Sequence, residues 1–296
     1  MQVVVGSGSV GTAIALRVAE AGEEVRVVTR SGGGPEHPLV SRVAADAGDA
    51  AELLRIAEGA SVIYNCANPQ YHAWPTDWPP IADALLRAAE ANDAVLAITG
   101  NLYGYGPVTQ PMTEDMPLAA TTVKGRVRAK MWQDALASRV RAFEVRSSDW
   151  IGPRYSLISQ ALPAMREGRT AWLPAPLDVP HTYTYTADAA RTLVELAKHE
   201  RAWGRAWHTP SPAPMTARRL LTRAAELAGL PAPRLRAYPQ VAVRGAALFD
   251  KMAKEFLEIR YQHARPFVMD SSRVTAEFGL TATPLDEAIR ETVRSA

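Results

Sequence analysis

Three observations predict a doubly wound α/β fold, a parallel sheet covered by helices on both faces, with a smaller C-terminal region that covers a substrate. Short apolar runs alternate with helical patterns through the first half of the 296-residue chain. Glycines at 6, 8 and 11 stand between the first apolar run and the first helical pattern. In the second half the alternation fails and prolines become frequent, as at 174, 176, 180, 210, 212 and 214. Strands alternating with helices read as βαβ units and therefore as a parallel sheet.

Taken in order, strand 3–5 leads to a helix over 11–21, and strand 25–29 to a glycine-rich loop. A short strand at 42–46 is followed by a helix at 49–58, a strand at 61–66 and the aromatic-rich loop 68–78. A helix over 79–91, strand 94–99, a long helix over 122–138 and strand 142–147 complete the set. The predicted division is a dinucleotide-binding Rossmann domain over 1–150 with roughly 177–200, and a substrate-binding region over 151–176 and 201–296.

The first motif is Gly6-Ser7-Gly8-Ser9-Val10-Gly11. Gly6 lets the chain turn tightly, Gly8 removes a side chain where a pyrophosphate approaches the backbone, and Gly11 lets the helix pack on the strand. The free N–H groups and positive dipole end of the helix face the phosphates. The second strand ends at Arg30-Ser31, ahead of Gly32-Gly33-Gly34. An acidic residue there binds the ribose 2′-hydroxyl of NAD, whereas an arginine receives a 2′-phosphate. NADP(H) is therefore expected, with NAD less favoured.

The formal charge is +2, from 33 basic and 31 acidic residues, which suggests neither nucleic acid nor a membrane surface as partner. The single cysteine, Cys66, excludes an intrachain disulfide framework and a cysteine-rich zinc site. The six histidines include no H-x-x-x-H pair, so no metal site is expected. The apolar runs are too short to span a bilayer, and no basic stretch precedes an apolar one at the start. A cytoplasmic protein is expected.

Several further segments carry a resemblance. Asp46-Ala47 follows the third strand, Asn65-Cys66-Ala67-Asn68 the fourth, and Ile98-Thr99-Gly100-Asn101-Leu102-Tyr103-Gly104 the fifth. Arg146-Ser147-Ser148-Asp149-Trp150-Ile151-Gly152-Pro153 follows later. His181 to Ala190 contains Asp188 at a helix start, and Met269 to Arg273 precedes Phe278-Gly279-Leu280. In order and spacing these resemble the extended short-chain dehydrogenases/reductases, the group named for NAD-dependent epimerases and dehydratases, over nearly the whole chain. The resemblance implies that Asp46 and Ala47 hold the adenine, and that Cys66, Ala67, Asn68 and Ser147 pass beside the cofactor. It implies Thr99 as the hydroxyl that bonds the substrate oxygen, and a homodimer formed through the helices over 79–91 and 122–138, with Met131, Ala135 and Leu136 adding apolar contacts.

Two departures stand out. The family's first glycine normally falls where Val5 stands, and its Tyr-x-x-x-Lys should fall at 124–128, where this chain reads Lys124-Gly125-Arg126-Val127-Arg128. An ammonium at Lys124 can stabilise a developing alkoxide or enolate by charge, and a lysine becomes an acid or base when desolvation or a nearby cation lowers its pKa. Arg128, one turn on, can supply that cation or hold the ribose. Tyr103 and Tyr105 are alternative proton donors. Tyr71, His72, Trp74, Asn101, Tyr103, Asp149, Trp150 and Tyr155 are the candidate substrate contacts, with Trp172, His181, Tyr183 and Tyr185 available to join them.

The expected function is an NADP(H)-dependent oxidoreductase acting on a small to mid-sized, partly apolar carbonyl, enone or alcohol. A redox-neutral isomerase or cyclase, and a non-catalytic NADP(H)-binding regulator, are the alternatives that the missing Tyr-x-x-x-Lys leaves open.

Overall fold

The computed structural model describes residues 1–296, apart from the side chains of Gln240 and Met252. The chain divides into two compact units. The first comprises Met1–Gly104, Val123–Ser147 and Ala189–Trp207, and the second Tyr105–Thr122, Ser148–Asp188 and His208–Ala296.

The first unit is built from β1 (Gln2–Val5), α1 (Ser9–Glu20), β2 (Val25–Thr29), β3 (Val40–Ala44), α2 (Ala50–Ile56), β4 (Val62–Asn65), α3 (Trp74–Ala91), β5 (Val95–Asn101), α4 (Val123–Ala137) and β6 (Ala142–Ser147). Its seven-stranded sheet runs Ala206–His208, β6, β5, β4, β1, β2, β3. Pairing is parallel from β6 to β3, with Val3 opposite Arg26 on one side and Ile63 on the other. Residues of β1, β4 and β6 are buried throughout, as strands covered on both faces must be. β3, at the sheet edge, exposes Ser41 and Arg42, and charge there opposes pairing with another chain. Because β1 pairs with both β2 and β4, the strand order reverses around it. The crevice beyond the carboxyl ends of β1 and β4 is the place where such sheets bind ligands.

Local signals explain most boundaries. Asp49 caps α2 by accepting hydrogen bonds from the backbone N–H groups of Ala51 and Glu52 at 3.0 Å each. α3 differs from the sequence expectation. It begins at Trp74 and runs through Pro79 and Pro80, so residues 74–78 are helix and not loop. Trp74 and Trp78 stand one turn apart and are fully buried, packed edge to face at 6.1 Å. That anchoring outweighs the local cost of proline, which pattern reading takes as a helix start. Met131 and Ala135 of α4 are buried within the chain, while Leu136 is exposed.

The second unit packs the helices Leu157–Arg166, Ala217–Leu227 and Leu285–Ser295 around a core that includes Ile151, Leu173, Tyr185, Leu220, Leu221 and Ile289. Two small parallel sheets flank it, Asp149–Ile151 with Tyr183–Tyr185 and Leu235–Ala237 with Ala171–Leu173. Asp188 ties the chain together by accepting from the Thr283 N–H at 2.8 Å and its hydroxyl at 2.7 Å. The limits of the units differ from those read in the sequence. Residues 148–150 and 177–188 fall in the second unit, where Asp149–Ile151 pairs with Tyr183–Tyr185, 105–122 join them, and 201–207 fall in the first, whose large sheet is extended by the strand that begins at Ala206. No helix among the described residues is long and apolar enough to cross a membrane.

Candidate active site

The loop from β1 to α1 is shaped by three glycines, each for a different reason. Gly6 has φ +101°, and a Cβ there would lie 2.4 Å from the Cys66 carbonyl oxygen. A Cβ on Gly11 would lie 2.0 Å from the Gly6 carbonyl oxygen, so side chains at 6 and 11 are excluded by backbone. Gly8, the N-cap of α1, meets nothing within 4 Å. No protein atom excludes a side chain there. The first amides of α1 have no acceptor inside the helix, its first turn carries no acidic side chain, and the buried Ser9 hydroxyl has no partner. This cradle fits the diphosphate of a dinucleotide. Ser7 contributes its carbonyl to the Thr12 hydroxyl at 3.1 Å, and Val10 is buried against the sheet.

Arg30 and Ser31 follow β2 and are both exposed. The glycines behind them close tightly, with a Cβ on Gly34 falling 3.1 Å from Val27 Cγ1 and the Thr29 hydroxyl donating to the Gly33 carbonyl at 3.0 Å. Asp46 is exposed, and its Oδ1 accepts from the Gly48 N–H at 2.9 Å, closing the turn into α2 beside Ala47.

At the carboxyl end of β4 the Cys66 thiol lies 3.3 Å from the Thr99 hydroxyl. Burial pushes that thiol up to about 12, so it stays protonated and is no nucleophile. Asn65 Oδ1 accepts from the Ala67 N–H at 3.2 Å, and Asn68 is exposed.

The start of α4 holds Lys124 and Arg128. Lys124 is 1% exposed, and its Nζ lies 5.6 Å from the centre of the Tyr71 ring. The hydroxyls of Tyr71 and Tyr103 share a hydrogen bond at 2.8 Å. Trp74 stacks on Tyr103 at 5.9 Å and meets the edge of Tyr71 at 5.0 Å, and Asn101 Oδ1 accepts from the Tyr103 N–H at 3.1 Å. Lys124, Tyr71, Tyr103, Trp74 and Asn101 are thus brought together within the first unit. Trp74 also donates its indole N–H to the Pro69 carbonyl at 3.0 Å and is buried. His72 is exposed in the turn before α3.

Arg128 is committed elsewhere. It donates to the Thr99 carbonyl, lies 3.8 Å from Glu144 Oε1 and sits 5.0 Å over the Trp78 ring. Burial draws its guanidinium below the ordinary arginine range, opposed by Glu144. Arg146 bonds the same carboxylate at 2.7 Å, and Ser147 is buried at the end of β6. These contacts brace the end of β5, and the buried Arg128 Nε is left without a hydrogen-bond partner.

The remaining candidates lie in the second unit. Tyr105 bonds His208 Nε2 at 2.7 Å. Tyr155 is 85% exposed at φ +58°, and Trp150 is half-buried on the strand Asp149–Ile151. Asp149 meets two histidines, with its Oδ2 3.2 Å from His181 Nε2 and 3.8 Å from His263 Nε2. Pattern reading misses this group because the three residues are far apart in sequence and no local spacing links them.

The family model for the NAD dependent epimerase/dehydratase family matches residues 3–207. Solved structures match over the whole chain. WbmH of Bordetella bronchiseptica in complex with NAD+ is 19% identical over 99% of this chain and 96% of its own, with a TM-score of 0.79. DesIV, a dTDP-glucose 4,6-dehydratase of Streptomyces venezuelae with NAD bound, is 18% identical over 100% and 96%, with a TM-score of 0.78. UDP-glucose 4-epimerase of Thermotoga maritima with UDP-glucose is 15% identical over 100% and 98%, with a TM-score of 0.81. At these identities the likeness is one of fold. A search of curated protein sequences gives no match.

Proposed function

Because the chain belongs to the NAD dependent epimerase/dehydratase family, we propose that it is an NADP(H)-dependent oxidoreductase acting on a small to mid-sized, partly apolar carbonyl, enone or alcohol. The observation that carries this reading is Lys124, a buried ammonium at the start of α4 beside the Tyr71–Tyr103 phenol pair.

Gly6 to Gly11 hold the diphosphate, Arg30 and Ser31 the 2′-phosphate, and Asp46 and Ala47 the adenine. Cys66, Ala67, Asn68 and Ser147 line the nicotinamide half. Bound nicotinamide supplies hydride donor or acceptor chemistry. Thr99 hydrogen-bonds the substrate oxygen, and Lys124 stabilises negative charge as it develops there. The phenols of Tyr71 and Tyr103 supply a proton, and the bond between them lets the second replace what the first gives. Arg128 positions Thr99 by holding its carbonyl. The same reading places the protein in the cytoplasm as a homodimer through α3 and α4, with the exposed Val123 and Leu136 in that contact.

Turnover is tested by nicotinamide absorbance with carbonyls and alcohols, together with the UDP-glucose and UDP-glucuronic acid held by solved relatives described as MoeE5. Lys124→Ala should leave NADPH affinity nearly intact and cut turnover by roughly 10²–10⁴, the range for general acid catalysis. Full activity in that variant would move the chemistry to the tyrosines. Product epimerised without net absorbance change would select a redox-neutral enzyme. Cofactor binding that alters affinity for a protein, with no turnover at all, would select a regulator.

A further inference from the structure

We propose that Asp149, His181 and His263 form a binding site for a divalent cation of the Zn²⁺ class, within the second unit. Each of the three offers one ligand atom, and these atoms all lie within 4.8 Å of one another. A tetrahedral Zn²⁺ with bonds near 2.0–2.1 Å sets its ligand atoms about 3.3 Å apart. The separations from Asp149 Oδ2, 3.2 Å to His181 Nε2 and 3.8 Å to His263 Nε2, bracket that spacing.

The polar contacts of the His181 ring lie on its Nε2 side, facing Asp149 and the Ser148 hydroxyl at 3.3 Å, and its buried Nδ1, which has no partner, would carry the ring proton when Nε2 is a ligand. The ring is held between Phe267 at 5.4 Å and His263 at 5.1 Å, stacked on both. His263 is the ligand that must adjust, since the two imidazole planes differ by 21° in a stacked pair. Its ring also stacks on Phe256 at 5.6 Å, so a turn about the Cβ–Cγ bond that aims the Nε2 lone pair at the cation would have to loosen these stacks. Two imidazoles and one carboxylate are a borderline donor set that suits Zn²⁺ over Mg²⁺ or Ca²⁺. Three protein ligands leave a fourth position, for the Ser148 hydroxyl, water or a ligand oxygen, which is the composition of a catalytic and not a structural zinc site. Asp149 is 35% exposed at its side chain, which gives the cation a path in.

The test uses the chelator-treated full chain. Titration with Zn²⁺ by calorimetry should give one equivalent bound, and Co²⁺ should give the intense visible bands of a tetrahedral site. His263→Ala and Asp149→Asn should each weaken binding by roughly 100-fold, at the upper end of what even outer-shell partners contribute. His37→Ala, a histidine of the first unit, should bind as the wild type does. No binding by the wild type, or equal binding in all four proteins, overturns the proposal. If a variant fails to fold, Zn²⁺ protection of His181 and His263 from carbethoxylation in the wild type replaces it, and absence of protection overturns the site.

Discussion

The cradle between β1 and α1 and the first turn of α4 lie in one unit but obey different constraints. The cradle is specified by what must be absent, since Cβ atoms at Gly6 and Gly11 would collide with backbone. The turn of α4 is specified by what is present, and there two cations, Lys124 and Arg128, are buried in the helix. Backbone clearances tolerate no substitution, whereas a polar site can be rebuilt from new partners if each buried charge finds one. Lys124 finds the face of Tyr71, and Arg128 finds Thr99, Glu144 and Trp78.

The comparison breaks most sharply at Gly11. Gly11→Ala forces a Cβ to within 2.0 Å of a carbonyl oxygen. It should destabilise by about 4 kcal/mol or more and abolish dinucleotide binding, read by urea unfolding and cofactor titration. Gly8→Ala should keep stability within about 1 kcal/mol yet weaken the cofactor, because its Cβ enters ligand space. Equal stability losses in the two would dissolve the distinction between clearance and contact.

Arg128→Met comes next. It leaves the buried Glu144 with Arg146 alone, and removing one member of a buried ion group costs roughly 3–5 kcal/mol. The loss should appear in unfolding first, with cofactor affinity changing little in the folded fraction. A large affinity loss at unchanged stability would return Arg128 to the ribose.

Arg30→Ala should cost NADPH about 1.5–3 kcal/mol of binding, the range for charged hydrogen bonds, and leave NADH unaffected. Tryptophan-fluorescence titration of both cofactors decides it, and equal affinity for the two in the wild type would sink the NADP assignment.

The smallest effect is a pH dependence of the second unit. Burial holds the His263 imidazole below its ordinary 6.5. Its neutral form is thus favoured on folding, and stability is lost as pH falls below about 6.5. Against the burial that would raise it, His181 and His263 hold the Asp149 carboxyl down at about 2, from 3.8. That contribution is present above 3.8 and is lost as pH falls towards 2. Urea midpoints across this range should fall in wild type, and the step below 6.5 should vanish in His263→Phe.

Most of the first unit was legible because its strands are short valine-rich runs and its cradle depends on residues adjacent in sequence. The start of α3 was not, since Pro79 marks a boundary locally while Trp74 and Trp78 extend the helix through packing. The contacts of Arg128 were hidden for a related reason: its partners come from β5, β6 and α3. The pairing of Tyr71 with Tyr103 and the grouping of Asp149 with His181 and His263 are tertiary facts, and no spacing rule encodes them. In the second unit, strands of three residues carry too little periodicity to announce themselves.

The lone sulfur of the chain gives the cradle a gauge of its own. Cys66 touches the glycine turn on one side and Thr99 on the other, and as a partly covered, protonated thiol it alkylates slowly. Its labelling rate under native conditions therefore clocks the opening of the β1–β4 edge, with no substrate and no engineered probe. Any ligand seated over Gly8 should slow that clock by the amount it binds.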